Sequence, residues 1–162
     1  MGKASFVLLT LSLLSSSAVL AGDSLVAAAV DPAGADEKAL KRQVWGSLRT
    51  MTDAAQRNGF RFEAHTLEVI SRDGSITDYY TLEAGSRYAF GGVCDDGCHM
   101  SLRVFNEHKR LVAEGPIGSR PFVVLTAKET GPYLIRLDML GSSTPRCGAA
   151  LGFYFYKLSA RR

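Results

Sequence analysis

A change of hydrophobic period at Asn58-Gly59 constrains this chain more than any other feature. Before it, Leu40, Val44, Leu48, Met51 and Ala55 recur at steps of four, four, three and four, which puts them on one face of a helix. Asp36 stands in front of that stripe as a candidate N-cap, since its carboxylate can accept from backbone N–H groups two or three residues on. The spacing predicts a helix over 36–58. Gly59 can take the left-handed conformation that ends a helix, with Phe60 folding back onto it. After Gly59 the period becomes two. Tyr133, Ile135, Leu137 and Met139 alternate with Leu134, Arg136, Asp138 and Leu140, and Met100, Leu102 and Val104 alternate with Ser101 and Arg103. Phe122–Leu125 and Phe153–Tyr156 are unbroken apolar and aromatic runs. Asp73-Gly74, Ala84-Gly85-Ser86, Gly115-Pro116 and Thr130-Gly131-Pro132 separate such segments as turns. Strands of about six residues with breakers between them describe an antiparallel sandwich or barrel over 60–158.

Composition agrees with one ordinary domain. Hydrophobic residues make up 46% and charged residues 22% of the 162, which excludes disordered and collagen-like classes. A net charge of +3 is too small and scattered to imply nucleic acid. Residues 1–21 are expected to be a signal peptide. Lys3 supplies the basic start, Phe6–Leu14 the apolar core, and Val19 and Ala21 fit a signal-peptidase pocket, with Ala27-Ala28-Ala29 as a second cleavage region. The apolar stretch falls short of the roughly 20 residues that a membrane helix needs. The mature protein is therefore expected in the periplasm or secreted, without a membrane anchor. Residues 22–35, with Asp31-Pro32-Ala-Gly34, are expected to be a linker.

Several segments carry a family resemblance: Tyr80-Thr-Leu-Glu-Ala-Gly85, Tyr88-Ala-Phe-Gly-Gly-Val-Cys-Asp-Asp-Gly-Cys98, Leu102-Arg-Val-Phe-Asn106, Pro121-Phe-Val-Val124 and Thr130-Gly-Pro-Tyr-Leu-Ile-Arg-Leu137. The region from about Asp78 to Tyr156 resembles bacterial extracytoplasmic β-sandwich proteins similar to the pre-peptidase C-terminal domain. That resemblance implies a jelly-roll-like β-sandwich, with Tyr88 and Tyr133 packed across it, and a non-catalytic binding or accessory role. Where the family often carries an Asp-x-Asp-Leu strand of possible cation ligands, this chain reads His99-Met-Ser-Leu102. Relatives also tend to carry a second Cys pair near the C-terminus, of which Cys147 alone is present.

Cys94-Asp-Asp-Gly-Cys98 is the sharpest local feature. In an oxidising compartment it is expected to be a disulfide staple between Cys94 and Cys98, with Cys147 pairing to one of them as the alternative. The same stretch followed by His99 is one residue longer than a haem-attachment motif. Cys94, Cys98, His99 and His108 do not have zinc-ligand spacing. Asp95 and Asp96 are candidate calcium ligands or, with Gly97, a loop that could plug a partner enzyme. His65, His99 and His108 are the candidates for a small hydrolase, yet none stands in a nucleophile motif such as Gly-x-Ser-x-Gly. Trp45, beside the helix stripe, is a core-rim residue or a binding anchor. No cofactor is expected, and the expected partner is an envelope protein or glycan.

Overall fold

The computed structural model describes residues 32–156, so the signal-peptide expectation, both cleavage regions and most of the linker lie outside the described residues. One helix, α1 (Pro32–Arg57), precedes eight strands: β1 (Phe60–Ser71), β2 (Ser75–Leu82), β3 (Arg87–Cys94), β4 (Cys98–Phe105), β5 (Leu111–Glu114), β6 (Phe122–Thr126), β7 (Gly131–Ser142) and β8 (Arg146–Tyr156). α1 begins within the expected linker, so Asp36 lies inside the helix rather than capping it. Pro32 explains the earlier start: proline suits a first helical turn, where its missing N–H would have had no partner. At the other end Gly59 has φ +85°, as the stop signal requires.

The strands form two antiparallel sheets, A in the order β1-β8-β3-β6 and B in the order β2-β7-β4-β5. Only β4 and β5 are consecutive strands within one sheet; every other connection crosses between sheets. That alternation is a jelly roll. The core between the sheets takes Tyr88, Phe90, Cys94 and Leu151 from sheet A and Met100, Leu102, Val104, Tyr133, Ile135 and Leu137 from sheet B.

The two inner strands of sheet A, β3 and β8, are buried on both faces. Along β8, Cys147, Ala149, Leu151, Phe153 and Phe155 belong to or pack against the inter-sheet core. The alternate positions Ala150 and Tyr154 join Val44, Leu48 and Ala55 of α1 in clusters on the outer face. This double burial is why Phe153–Tyr156 is aromatic without a break. Close approach of the helix depends on glycines. A Cβ on Gly148 would lie 2.7 Å from Val44 Cγ2 and 3.0 Å from the Leu40 carbonyl oxygen, and one on Gly152 would lie 3.1 Å from Leu48 Cδ1. Thr52 and Tyr154 hydroxyls, 3.2 Å apart, add a polar link beneath the helix.

The expected Cys94–Cys98 staple is not formed. Cys98 pairs with Cys147, 49 residues away, and Cys94 is a buried free thiol. The alternative, Cys147 bonded to one of the pair, is what forms, because the turn between Cys94 and Cys98 passes from sheet A to sheet B. Cys98 at the start of β4 faces Cys147 on β8, so the bond ties the two sheets together. The Cys94 thiol instead donates to the Cys98 carbonyl, at 3.0 Å. Burial, and then the charges of Asp95 and Asp96, push that thiol up to about 12.

Gly148→Ala should lower unfolding free energy by ~1–3 kcal/mol, the usual cost of overpacking, measured by urea titration. Replacing Cys98 and Cys147 together by Ala should cost up to about 4 kcal/mol on loop-closure grounds. Cys94→Ala should leave the bond intact, and in the parent Cys94 should react with a thiol reagent only after denaturant is added.

Candidate ligand-binding face

α1 covers sheet A, and among the described residues nothing covers the outer face of sheet B. Strand alternation there sets side chains in cross-strand rows. Tyr79 and Phe105 each pair with Leu134; Thr77 and Arg103 each pair with Arg136; Ser75 and Ser101 each pair with Asp138. The first row is apolar and Tyr79 is 72% exposed. The second and third rows hold an ion cluster. Arg103 Nη2 donates to Asp138 Oδ2 at 2.6 Å and Arg136 Nε to Asp138 Oδ1 at 2.6 Å. Asp138 is buried beneath the two guanidiniums, and the Arg103 guanidinium lies 5.9 Å from the Phe105 ring centre. Arg103 Nε is buried with no hydrogen-bond partner.

A groove of about 320 Å³ opens beside this face, with Tyr79, Phe105, Leu134 and Pro132 as apolar walls and Arg136, Glu107, Lys109 and Asn106 as polar ones. Lys109 has φ +59° in the turn between β4 and β5, a left-handed conformation uncommon for a residue with a side chain. Asn106 holds that turn: its Oδ1 accepts from Arg110 N at 3.0 Å, and its carbonyl accepts from Lys109 N. Chemically this face offers an exposed ring, two half-buried apolar side chains and a clamped pair of arginines. It can hold a ligand that presents an apolar surface edged by hydrogen-bonding groups.

The candidates drawn from sequence lie elsewhere. Asp95 is buried, and its Oδ2 accepts from Gly148 N at 3.0 Å while its Oδ1 lies 2.9 Å from Cys98 Sγ. Asp96 is exposed, so the two carboxylates differ in burial although both border one groove beside Arg146. The one group of three close potential metal ligands among the described residues is Asp95, Cys98 and Cys147. The disulfide takes both of its sulfurs out of ligand chemistry. Cys94 and His99 are separated as well, one buried in β3 and the other exposed on β4.

Trp45 is 37% exposed and packs on His65, with ring centres 4.8 Å apart; it also borders a shallow groove with Lys38, Lys41, Arg42 and Leu67. It is a rim residue with one face open. His65 packs between Trp45 and Phe62. His99 is exposed opposite Gly141. His108 sits beside its neighbour Glu107, Nε2 to Oε1 3.4 Å, with both groups in solvent. Among the described residues no other histidine has a carboxylate within ion-pair distance.

Tyr79, Phe105, Arg103, Arg136 and Asp138 were missed as a site. The alternation in β7 already placed Leu134, Arg136, Asp138 and Leu140 on the face opposite the core, and two leucines on a solvent face were the available signal.

No family model matches the chain, and no curated protein matches it in sequence. Among solved structures it is similar to a periplasmic inhibitor of g-type lysozyme from Aeromonas hydrophila, at 11% identity and TM-score 0.40, over 56% of this chain and 84% of that one. A glycosylation-associated protein complex from Streptococcus agalactiae gives 11% identity and TM-score 0.36, over 64% and 44%. A structure described as CBM4 gives 12% identity and TM-score 0.35, over 63% and 83%. At such similarity none of them bears on the function of this chain. Among the described residues no helix is long and apolar enough to cross a membrane.

Burial is the largest influence on Asp95 and raises its pKa, the charge of Asp96 adds to that, and the N–H groups of Gly148 and of Asp95 itself oppose it. A raised folded pKa means that the native state holds this proton more tightly than the unfolded chain. Its contribution is then fully present below the unfolded value and is lost as pH rises through the folded one. Asp95→Asn keeps an oxygen for Gly148 N–H and removes the titration. Urea midpoints should shift in favour of the variant, relative to the parent, as pH rises from about 3 to about 7.

Proposed function

We propose that this chain is a non-enzymatic binding module of the bacterial cell envelope, exported by residues 1–21, and that it holds a glycan on the outer face of sheet B. The observation that carries this reading is the Tyr79 ring, 72% exposed, standing in one row with Leu134 and Phe105 beside the Arg136–Asp138–Arg103 cluster. A sugar ring presents a C–H face and a rim of hydroxyls. An aromatic face receives the first, and fixed guanidinium and carboxylate groups receive the second. Because Asp138 partly neutralises both arginines, the face suits neutral hydroxyls better than a strong anion. The resemblance to extracytoplasmic sandwich modules is in keeping with this role. A plug-type inhibitor built on Asp95-Asp-Gly97 is less supported, because the Asp95 carboxylate is turned inward. A hydrolase is less supported too, because the three histidines lie apart from any shared cleft of acids.

Co-sedimentation of the processed protein with peptidoglycan sacculi tests the reading. The parent should sediment with sacculi and release no soluble product. Tyr79→Ala and Arg136→Ala should each weaken retention about tenfold, the scale of one lost anchor. Tyr79→Ala should leave stability within ~0.5 kcal/mol, as for most surface changes, whereas Arg136→Ala also takes a partner from the buried Asp138 and should lower it. Asp96→Ala should bind as the parent does. Binding by Tyr79→Ala equal to that of the parent would contradict the assignment.

A further inference from the structure

A second groove, at the C-terminal end of α1, is not used by the proposed function. α1 packs on β1, β8 and β3, and beside it the edge strand β6 keeps part of its outer face open. The space between helix and edge strand is about 530 Å³. Met51 and Ala54 of α1 form one wall, and Phe122 and Val124 of β6 the other. Val124 is 38% exposed although it is a sheet valine.

One cation stands in this apolar groove. The Arg87 guanidinium lies 5.2 Å from the Tyr156 ring centre and 5.7 Å from that of Phe60. The two rings are themselves edge to face at 5.2 Å. Aromatic faces of this kind hold a guanidinium in place without consuming its in-plane N–H donors. Among the described residues no carboxylate lies within ion-pair distance of Arg87, and none lines the groove. Asn58, another polar side chain there, already donates its amide N–H to the Ala54 carbonyl at 2.8 Å.

A mainly apolar groove edged by one positioned, solvent-exposed guanidinium, with no carboxylate partner among the described residues, fits a ligand with a long apolar body and one anionic head. We propose that this groove binds an amphipathic carboxylate of the fatty-acid class, its alkyl chain between α1 and β6 and its carboxylate paired with Arg87. The volume lies within the range of small-molecule sites, and a thioether such as that of Met51 adapts its shape to a flexible chain. Guanidinium and carboxylate match as a bidentate pair, so the head group sets selectivity while the groove supplies contact area. This site is on the opposite face of the sandwich from the proposed glycan face and does not depend on it.

Isothermal titration of the processed protein with decanoate, decanol and decyltrimethylammonium, all below their micellar concentrations, tests the proposal. Decanoate should bind at a single saturable site, at least about tenfold more tightly than either comparison compound, as expected for a charge-assisted hydrogen-bonded pair. Arg87→Gln should reduce decanoate to the level of decanol, and Arg87→Lys should recover part of the difference. Val124→Trp, which fills the groove from an exposed edge position, should abolish binding while the unfolding midpoint stays near that of the parent. Tyr79→Ala should bind decanoate as the parent does. Equal affinity for decanoate and decanol, unchanged affinity in both Arg87→Gln and Val124→Trp, or no saturable binding of decanoate would each overturn the proposal.

Discussion

The fit of α1 onto the glycine floor of sheet A is the contact on which the rest of the molecule depends. Gly148 and Gly152 present no side chain to the helix, and between them stands only Ala150, so Val44 and Leu48 come down close to the sheet and are almost wholly buried. With that face closed, sheet A can be apolar on both sides, and β8 can carry an aromatic run that would otherwise be an exposed, aggregation-prone surface. The same contact decides which surfaces remain for ligands. Among the described residues it covers the outer face of three strands of sheet A, leaves the step beside β6, and leaves the outer face of sheet B uncovered.

At one end of the sandwich the sheets are locked by a different device. The Cys98–Cys147 bond joins β4 to β8, and Asp95 joins the crossing between β3 and β4 to β8 through Gly148. Gly148 therefore serves three elements at once: it gives the helix its close approach, donates to the Asp95 carboxylate, and accepts from the Asp95 N–H at 3.2 Å. Asp95 is structural for this reason, whereas Asp96 and Gly97 stay exposed. A carboxylate buried against a disulfide and a backbone N–H fixes the path of the chain and is not available to a partner.

Much of this was readable in the residues. The helical stripe, its stop at Gly59 and the shift to a period of two gave the helix-plus-sandwich architecture, because each is a local pattern with a direct geometric meaning. The disulfide was not readable, since three cysteines permit several pairings and only the crossing from one sheet to the other turns Cys98 toward Cys147. The start of α1 was misplaced because a breaker cluster containing Pro32 also suits a first helical turn. The ligand face was half legible: the alternation in β7 showed Leu134 and Arg136 sharing a face. It could not show that Tyr79 and Phe105 come from neighbouring strands to flank Leu134, because strand order in a jelly roll is set by long-range pairing.

Hydroxyl-radical footprinting of the processed protein, with and without peptidoglycan sacculi, would show which face of the sandwich meets the glycan. Protection is expected at Tyr79, Phe105, Leu134 and Leu140 on the outer face of sheet B, with Trp45 unchanged on the helix side. Protection at Trp45 while Tyr79 stays fully reactive would contradict this placement of the glycan.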